Sequence, residues 1–355
     1  MRSRLLGPAD KETWNEFAAA SPHASVLQSY EWGEFKACFG WRPVRVALEA
    51  EGKIVAGISI LRREIPLIRS SLYYAPRGPV INFADRELLH GLLEIVEKEA
   101  DHDRAVSLKI DPEIPEEDAA ARESLKALGF EKAGKQVQPR ATFILDLDRD
   151  LDEIMKSFEE KTRYNIRLAE KKSVTVKEDV SSEGIDIFND LYRETARRDN
   201  FLVHPAGYYL KLREIMFPAG LGTNFIAYYE DKPIAAVIIF AFGRKIWYMY
   251  GASASEYRNV MPNHLLHWEV IKWAKEKGFK EYDLWGIPAN PNEHHPLFGV
   301  YRFKKGFNGR PVKYIGAYDF PYSPIMHLAL EKSVAWWQNL RSLLTKGKIE
   351  DSLSE

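Results

Sequence analysis

Apolar residues along this chain recur with two spacings, every second position in short segments and every third or fourth in longer ones, and the two alternate in a repeating order. Helical spacing runs over Lys11–Ala20 and again over Ser25–Gly40, where Trp32, Phe35 and Phe39 accompany Lys36. Strand-like segments follow at Pro43–Glu49 and Lys53–Glu64, joined through Ala50, Glu51 and Gly52. Leu72–Ala75, the turn Pro76-Arg77-Gly78-Pro79, a helix over Arg86–His102, a strand over Ala105–Ile110 that ends at Asp111 and a helix over Ala119–Leu128 complete the first half.

The same order then recurs. Helices are predicted over Leu151–Glu170, Gly184–Arg198 and Tyr208–Met216, and a hairpin joins Asn224–Glu230 to Pro233–Phe242 through Asp231-Lys232. An aromatic strand (Trp247–Tyr250), a helix over Pro262–Lys277, a strand over Glu281–Trp285 and a closing glycine hairpin at Gly306-Phe307 follow. VALEAEGKIVAGISI corresponds to IAYYEDKPIAAVIIF, LYYAPRG to WYMYGAS, and VSLKIDP to YDLWGIP. The pattern predicts two copies of one α/β unit with mixed sheets, each a hairpin followed by strand, helix and strand. Charge rises at Asp146–Asp150, which places the expected boundary there: 1–147 with 317–355 as one domain and 148–316 as the other. The tail from Tyr318 reads as a proline turn and an amphipathic helix, HLALEKSVAWWQNLRSLL, that either returns to the first domain or lies on a membrane.

Composition narrows the chemistry. The 355 residues carry 50 Lys and Arg against 51 Asp and Glu, so a polyanion has to be met by a local patch rather than by a global field. One cysteine, Cys38, excludes an intrachain disulfide and a cysteine zinc cluster. The opening MRSRLLGPADKETW turns polar early, and the longest apolar run, Ile234–Phe242, is strand-sized, so a soluble or peripheral cytoplasmic protein is expected.

Acetyl-CoA-dependent acyltransferase domains share this order of elements and hold pyrophosphate on a glycine-rich turn at a helix start. Neither half has such a Gly-x-Gly turn, so side-chain cations have to serve a phosphate-bearing substrate. Three places offer them. Lys36 either snorkels over the core or meets an anion. Arg163, Arg167 and Lys171 fall at four-residue spacing on one helix face, a solvated surface or an RNA contact. Lys304 and Lys305 follow Phe303 at the predicted hairpin, protecting an edge or serving a ligand that stacks on the aromatics. Ser253 lacks the Gly-x-Ser-x-Gly elbow. His264 and His267 read as helix histidines, His294-His295 lack carboxylate partners at metal spacing, and no metal is expected. Asp111, at a strand end, either accepts a proton or caps a turn.

With LQSYEWGEFK, YYAPRGPV, KTRYNIRLAEKK, RRDNF followed by Tyr208-Tyr209, YMYGAS, MPNHLLHWEVIKWAKEKG, YDLWGI and FKKGFNG in this order, the chain resembles the FemABX aminoacyltransferases of peptidoglycan interpeptide-bridge synthesis over nearly its whole length. The resemblance implies tandem GNAT-like acyltransferase domains with the C-terminal helix returning to the first. It also implies transfer of an amino acid from aminoacyl-tRNA to the stem-peptide amine of UDP-MurNAc-pentapeptide or lipid II, without metal or cofactor, by a monomer in the cytoplasm or at the inner membrane face. By the same resemblance Lys36, His204, Tyr208, Tyr248 and Tyr250 line the precursor site, His204 standing where an arginine is expected. Phe303 and Lys304 sit at the transfer centre, Asp111 matches a proposed base, and Arg163, Arg167, Lys171 and Lys305 face tRNA. An N-acyltransferase with another donor, and a cell-wall-precursor or RNA binding protein without turnover, are the competing readings.

Overall fold

The computed structural model describes residues 1–66 and 68–332, and the chain divides into two compact units. The first comprises Met1–Arg140, Pro288–Leu297 and, of the described residues, 313–332; the second comprises Ala141–Ile287 and Phe298–Val312.

In the first unit the period-two segments form a seven-stranded sheet in the order Arg2–Leu5, Arg42–Ala50, Lys53–Ile65, Ser70–Ala75, Ala105–Ile110, Tyr318–Pro321, Glu131–Lys132. Ala50 pairs with Lys53, so the hairpin closes on Glu51 and Gly52, both left-handed (φ 54° and 76°), the two-residue turn whose twist suits paired strands. Ser70–Ala75 and Ala105–Ile110 pair in parallel, which requires a crossover, here the helix Arg86–His102. Asp85 caps that helix by accepting from the Leu88 N–H, and Leu89, Leu92, Val96 and Ala100 bury one face against Val46, Ile58 and Leu108.

The second unit repeats this topology. Its sheet runs Thr175–Glu178, Gly222–Tyr229, Lys232–Phe242, Lys245–Ser253, Glu281–Asp283, Ala141–Asp146, Arg310–Lys313. Tyr229 pairs with Lys232, so its hairpin turns on Glu230-Asp231, one residue earlier than expected, again with both left-handed (φ 49° and 61°). The helix Pro262–Glu276 makes the crossover between the parallel strands Lys245–Ser253 and Glu281–Asp283.

The sixth strand of each sheet is exchanged. Glu131–Lys132 stays in the first sheet while the next strand, Ala141–Asp146, pairs antiparallel with Glu281–Asp283 in the second. Tyr318–Pro321, after the second unit's last strand, pairs with Ala105–Ile110 in the first. This places the break at Arg140/Ala141 rather than at 147/148, and the second unit ends at Val312. The acidic run that suggested the later boundary does a local task, as Asp150 caps the helix Leu151–Ser157 by accepting from the Glu153 N–H.

Two expected elements differ. The helix over 151–170 is two helices, Leu151–Ser157 and Glu160–Lys171, broken where Phe158 turns extended to bury its ring. The hairpin expected at Gly306-Phe307 is the end of a helix, Phe298–Lys305. Of the predicted C-terminal helix only 327–332 lies in the described residues, where it is helical, and the rest of that expectation falls outside them. Among the described residues no helix is long and apolar enough to cross a membrane.

Candidate active site

In the second unit the strand Lys245–Ser253 buries Trp247 completely and leaves Tyr248 and Tyr250 half-buried in its middle. Gly251 is glycine because a β-carbon there would collide with the Tyr248 hydroxyl. The helix Phe298–Lys305 lays Lys304 across the end of the neighbouring strand. Lys304 Nζ donates to the carbonyls of Trp285 (3.1 Å) and Gly286 (2.8 Å) and stands 5.3 Å from the centroid of the Tyr248 ring. The side chain is buried, and burial lowers its pKa to about 7 against the opposing attraction of Asp283.

Aromatic and imidazole rings surround this lysine. His267 is buried with Nδ1 2.7 Å from the Tyr282 hydroxyl, and its ring meets Tyr248 edge-on at 4.4 Å and Phe303 at 5.4 Å. Burial and the Lys304 charge pull its pKa down to about 3, so it is neutral. His264, 5.1 Å from Phe303, faces the Asn165 amide (Nδ2 to Nε2, 3.2 Å) and is lowered to about 4 by burial. With both imidazoles neutral at pH 7, Lys304, poised to gain or lose its proton near that pH, is the cation in contact with the Tyr248 ring.

A second aromatic group joins Tyr208, Tyr209, Tyr192 and Tyr250, with His204 stacked on Tyr208 at 3.8 Å and 14°. Burial raises the pKa values of both the Tyr208 and Tyr250 hydroxyls. Burial also raises Tyr248, to about 12, so these phenols stay protonated donors.

The structure thus brings Phe303, Lys304 and Tyr248 together, and groups His204, Tyr208 and Tyr250. Lys305 is exposed at the helix end. On the helix Glu160–Lys171, Arg167, Lys171 and Tyr164 are exposed, whereas Arg163 turns back to donate to the Phe158 carbonyl and so closes the helix break. Sequence reasoning passed over Thr142, Asp283, Trp285, Tyr192 and Tyr209. Asp283 and Trp285 lie within the quoted YDLWGI, but their spacing gives no sign that the carboxylate and the following main chain fold toward a lysine nineteen positions after Trp285.

The first unit holds the other candidates. Lys36, on the Ser29-capped helix Tyr30–Ala37, stands 5.8 Å from the Trp32 and Phe35 rings. Burial and the neighbouring Arg63 lower it to about 8. Arg63 was not anticipated; its guanidinium lies 5.2 Å from the Trp41 ring. Asp111 is buried in the interior, with Oδ1 accepting from the Arg77 N–H (2.7 Å) and Oδ2 from the Tyr74 hydroxyl (2.8 Å). Both oxygens being engaged, the carboxylate fastens the Arg77 turn, and it belongs to a different unit from Lys304. Asp319, His327 and Glu331 bring three ligand-type atoms within 4.8 Å of one another, but Lys109 Nζ at 2.7 Å from Asp319 already supplies a cation there.

The profile of the FemAB family matches residues 9–218 and 220–332. The lipid II:glycine glycyltransferase of Staphylococcus saprophyticus is 27% identical, the alignment covering 94% of this chain and 95% of that protein. The enzyme of the same name from Staphylococcus haemolyticus is 28% identical over 95% and 96%. In fold the chain is similar to the crystal structure of FemX, with a TM-score of 0.87 and 24% identity over 93% of this chain and 100% of that one. It is also similar to a tandem GNAT protein from the clavulanic acid biosynthesis pathway, with a TM-score of 0.55 and 11% identity over 91% and 99%.

Proposed function

Because the chain belongs to the FemAB family, we propose that it is an aminoacyltransferase that moves an amino acid from aminoacyl-tRNA to the stem-peptide amine of a lipid-linked peptidoglycan precursor. Two features support this reading: full-length similarity to proteins named lipid II:glycine glycyltransferase, and a buried lysine ammonium set among neutral aromatic donors. The lysine is the observation that carries it.

The donor ester is already activated, so the protein has to align two reactants and stabilise developing charge. The acceptor nitrogen attacks the ester carbonyl carbon, and the carbonyl oxygen becomes an oxyanion. Collapse breaks the bond to the ribose oxygen, which leaves with the proton the amine gives up. An ammonium has three N–H donors. Two of those on Lys304 hold main-chain carbonyls, fixing the direction of the third, which in this reading meets the oxyanion. The neutral phenols of Tyr248, Tyr208 and Tyr250 orient the peptide by hydrogen bonding and stacking. Arg167, Lys171 and Lys305 contact the tRNA backbone.

Lys36 and Arg63 repel one another, and an anion relieves that repulsion, so they receive the precursor's phosphates. Lys36→Ala is expected to raise the KM for precursor by roughly 10- to 100-fold with little change in kcat, as for loss of one hydrogen bond to a charged group of ~1.5–3 kcal/mol. Steady-state kinetics at varied precursor concentration would show this, and an unchanged KM removes Lys36 from the phosphate site.

The reading is tested by incubating purified protein with a tRNA pool charged with labelled amino acids and either lipid II or UDP-MurNAc-pentapeptide, with and without ribonuclease. Ribonuclease-sensitive label on lipid II is expected. Label confined to the soluble precursor would move the acceptor, label insensitive to ribonuclease would change the donor, and no label on either would overturn the reading.

A further inference from the structure

Trp285 has φ 57°, a left-handed conformation that costs a bulky L-residue roughly 1–2 kcal/mol and persists only where the surroundings impose it. Gly286, the next residue, carries no such penalty, yet the positive φ falls on the tryptophan. The cause is visible one turn back. Asp283 Oδ1 accepts from the Trp285 N–H at 2.7 Å and from the Thr142 hydroxyl at 2.5 Å, and Thr142 Oγ1 lies 3.3 Å from the Trp285 carbonyl. Asp283 is 1% exposed and Thr142 3%, so water does not substitute for these bonds. The antiparallel register, Asp283 opposite Ile144, is what carries Thr142 to this corner.

The consequence of the left-handed residue is that two successive carbonyls, of Trp285 and Gly286, point at one ammonium. We infer that Asp283, seconded by Thr142, is a positioning residue for Lys304, holding Trp285 left-handed so that this carbonyl pair aims the ammonium. The inference rests on the proposed role of Lys304 as the oxyanion donor. Asp283 acts on the lysine a second time through its charge. Around Lys304 stand the neutral His267 with His264 beyond it on the helix Pro262–Glu276, the Tyr248 ring on Lys245–Ser253, and the protonated Tyr282 beside Asp283 itself. Of these groups, Asp283 is the one that favours the charged lysine.

The two roles separate by substitution. Asp283→Asn keeps an acceptor oxygen but removes the charge. The pH above which kcat falls should then drop by about one unit, and so should the pH midpoint of Lys304 acetylation by acetic anhydride, read by peptide mass spectrometry. Thr142→Val keeps the charge but loses the hydroxyl, and kcat should fall about fivefold with KM unchanged, the effect of one hydrogen bond of ~1 kcal/mol. Glycine adopts positive φ freely, so in a Trp285→Gly background the Thr142→Val penalty should shrink to less than twofold. The inference is overturned if Asp283→Asn moves neither midpoint, or if Thr142→Val costs as much with glycine at 285 as with tryptophan. Should Asp283→Asn not fold, the Thr142 and Trp285 pair decides. Acetylation needs no turnover, so it reads the effect of Asp283 on Lys304 even if no aminoacyl transfer occurs and the reading above fails.

Discussion

Lys304→Met is expected to lower kcat by about 10²–10³, the scale of removing one preorganised oxyanion donor, while the KM for precursor changes little. Methionine nearly matches the lysine stem, so the loss isolates the ammonium and its hydrogen bonds. The pH dependence gives an independent mark. The lysine is charged below about 7 and neutral above, so wild-type kcat should fall as pH rises through that value, and the variant should lose that limb. Stability moves in the opposite sense. A base whose folded pKa lies below its ordinary 10.5 opposes folding when charged; the opposition is complete below about 7 and fades as the folded protein releases its proton. The stability of wild type relative to Lys304→Met should therefore rise between pH 7 and 10, whatever constant penalty the two abandoned carbonyls impose. Equal loss of kcat and precursor affinity, or an unchanged pH limb, would move Lys304 out of the transfer step.

Arg77→Ala is expected to be the most destabilising single change, by about 3–5 kcal/mol, because it strands buried charge. The guanidinium is 2% exposed, and it donates to the carbonyls of Pro139 (2.8 Å) and Asp111 (3.3 Å), with Nε 3.6 Å from Glu113. Asp111 is 1% and Glu113 3% exposed, and Arg77 is the leading influence that opposes the upward pull of burial on Asp111. At the ~2–4 °C per kcal/mol typical of a unit this size, the first unit should melt roughly 10 °C lower. Arg77→Lys should recover only part, since a point charge does not reproduce the planar fork. Calorimetry that resolves the two units would decide; a shift of less than about 2 °C would show that the network is not what holds the turn at residues 76–79.

The Arg77 network also shows where reading by residue type stops. Asp111 ends a strand, as a base in a cleft would, and only its surroundings show both oxygens occupied. Phe303 and Lys304 are a comparable case. The residues were legible as a site, but Gly306 was read as a hairpin, whereas a β-carbon there would collide with Thr162 at the end of a helix. Glycine permits both a turn and a close approach, and local sequence does not say which. Arg163 illustrates the same limit, since its four-residue spacing to Arg167 predicted a shared face and a helix break diverts it to a carbonyl.

What the sequence determined alone is the periodic order of elements and its duplication, because apolar spacing is a local property that burial on one face imposes on each strand and helix. Both crossovers and both hairpins follow from it. What only the tertiary structure decided is which strand completes which sheet and what surrounds each charge. Ala141–Asp146 has the apolar content to fill either sheet's sixth place, and the pairing of Ile144 with Asp283 settles the matter over a separation no local pattern records. That pairing carries Thr142 to Asp283 and Trp285, and so to the carbonyls that hold Lys304. The lysine's lowered pKa arises from this burial, a property of the assembled neighbours and of no residue by itself.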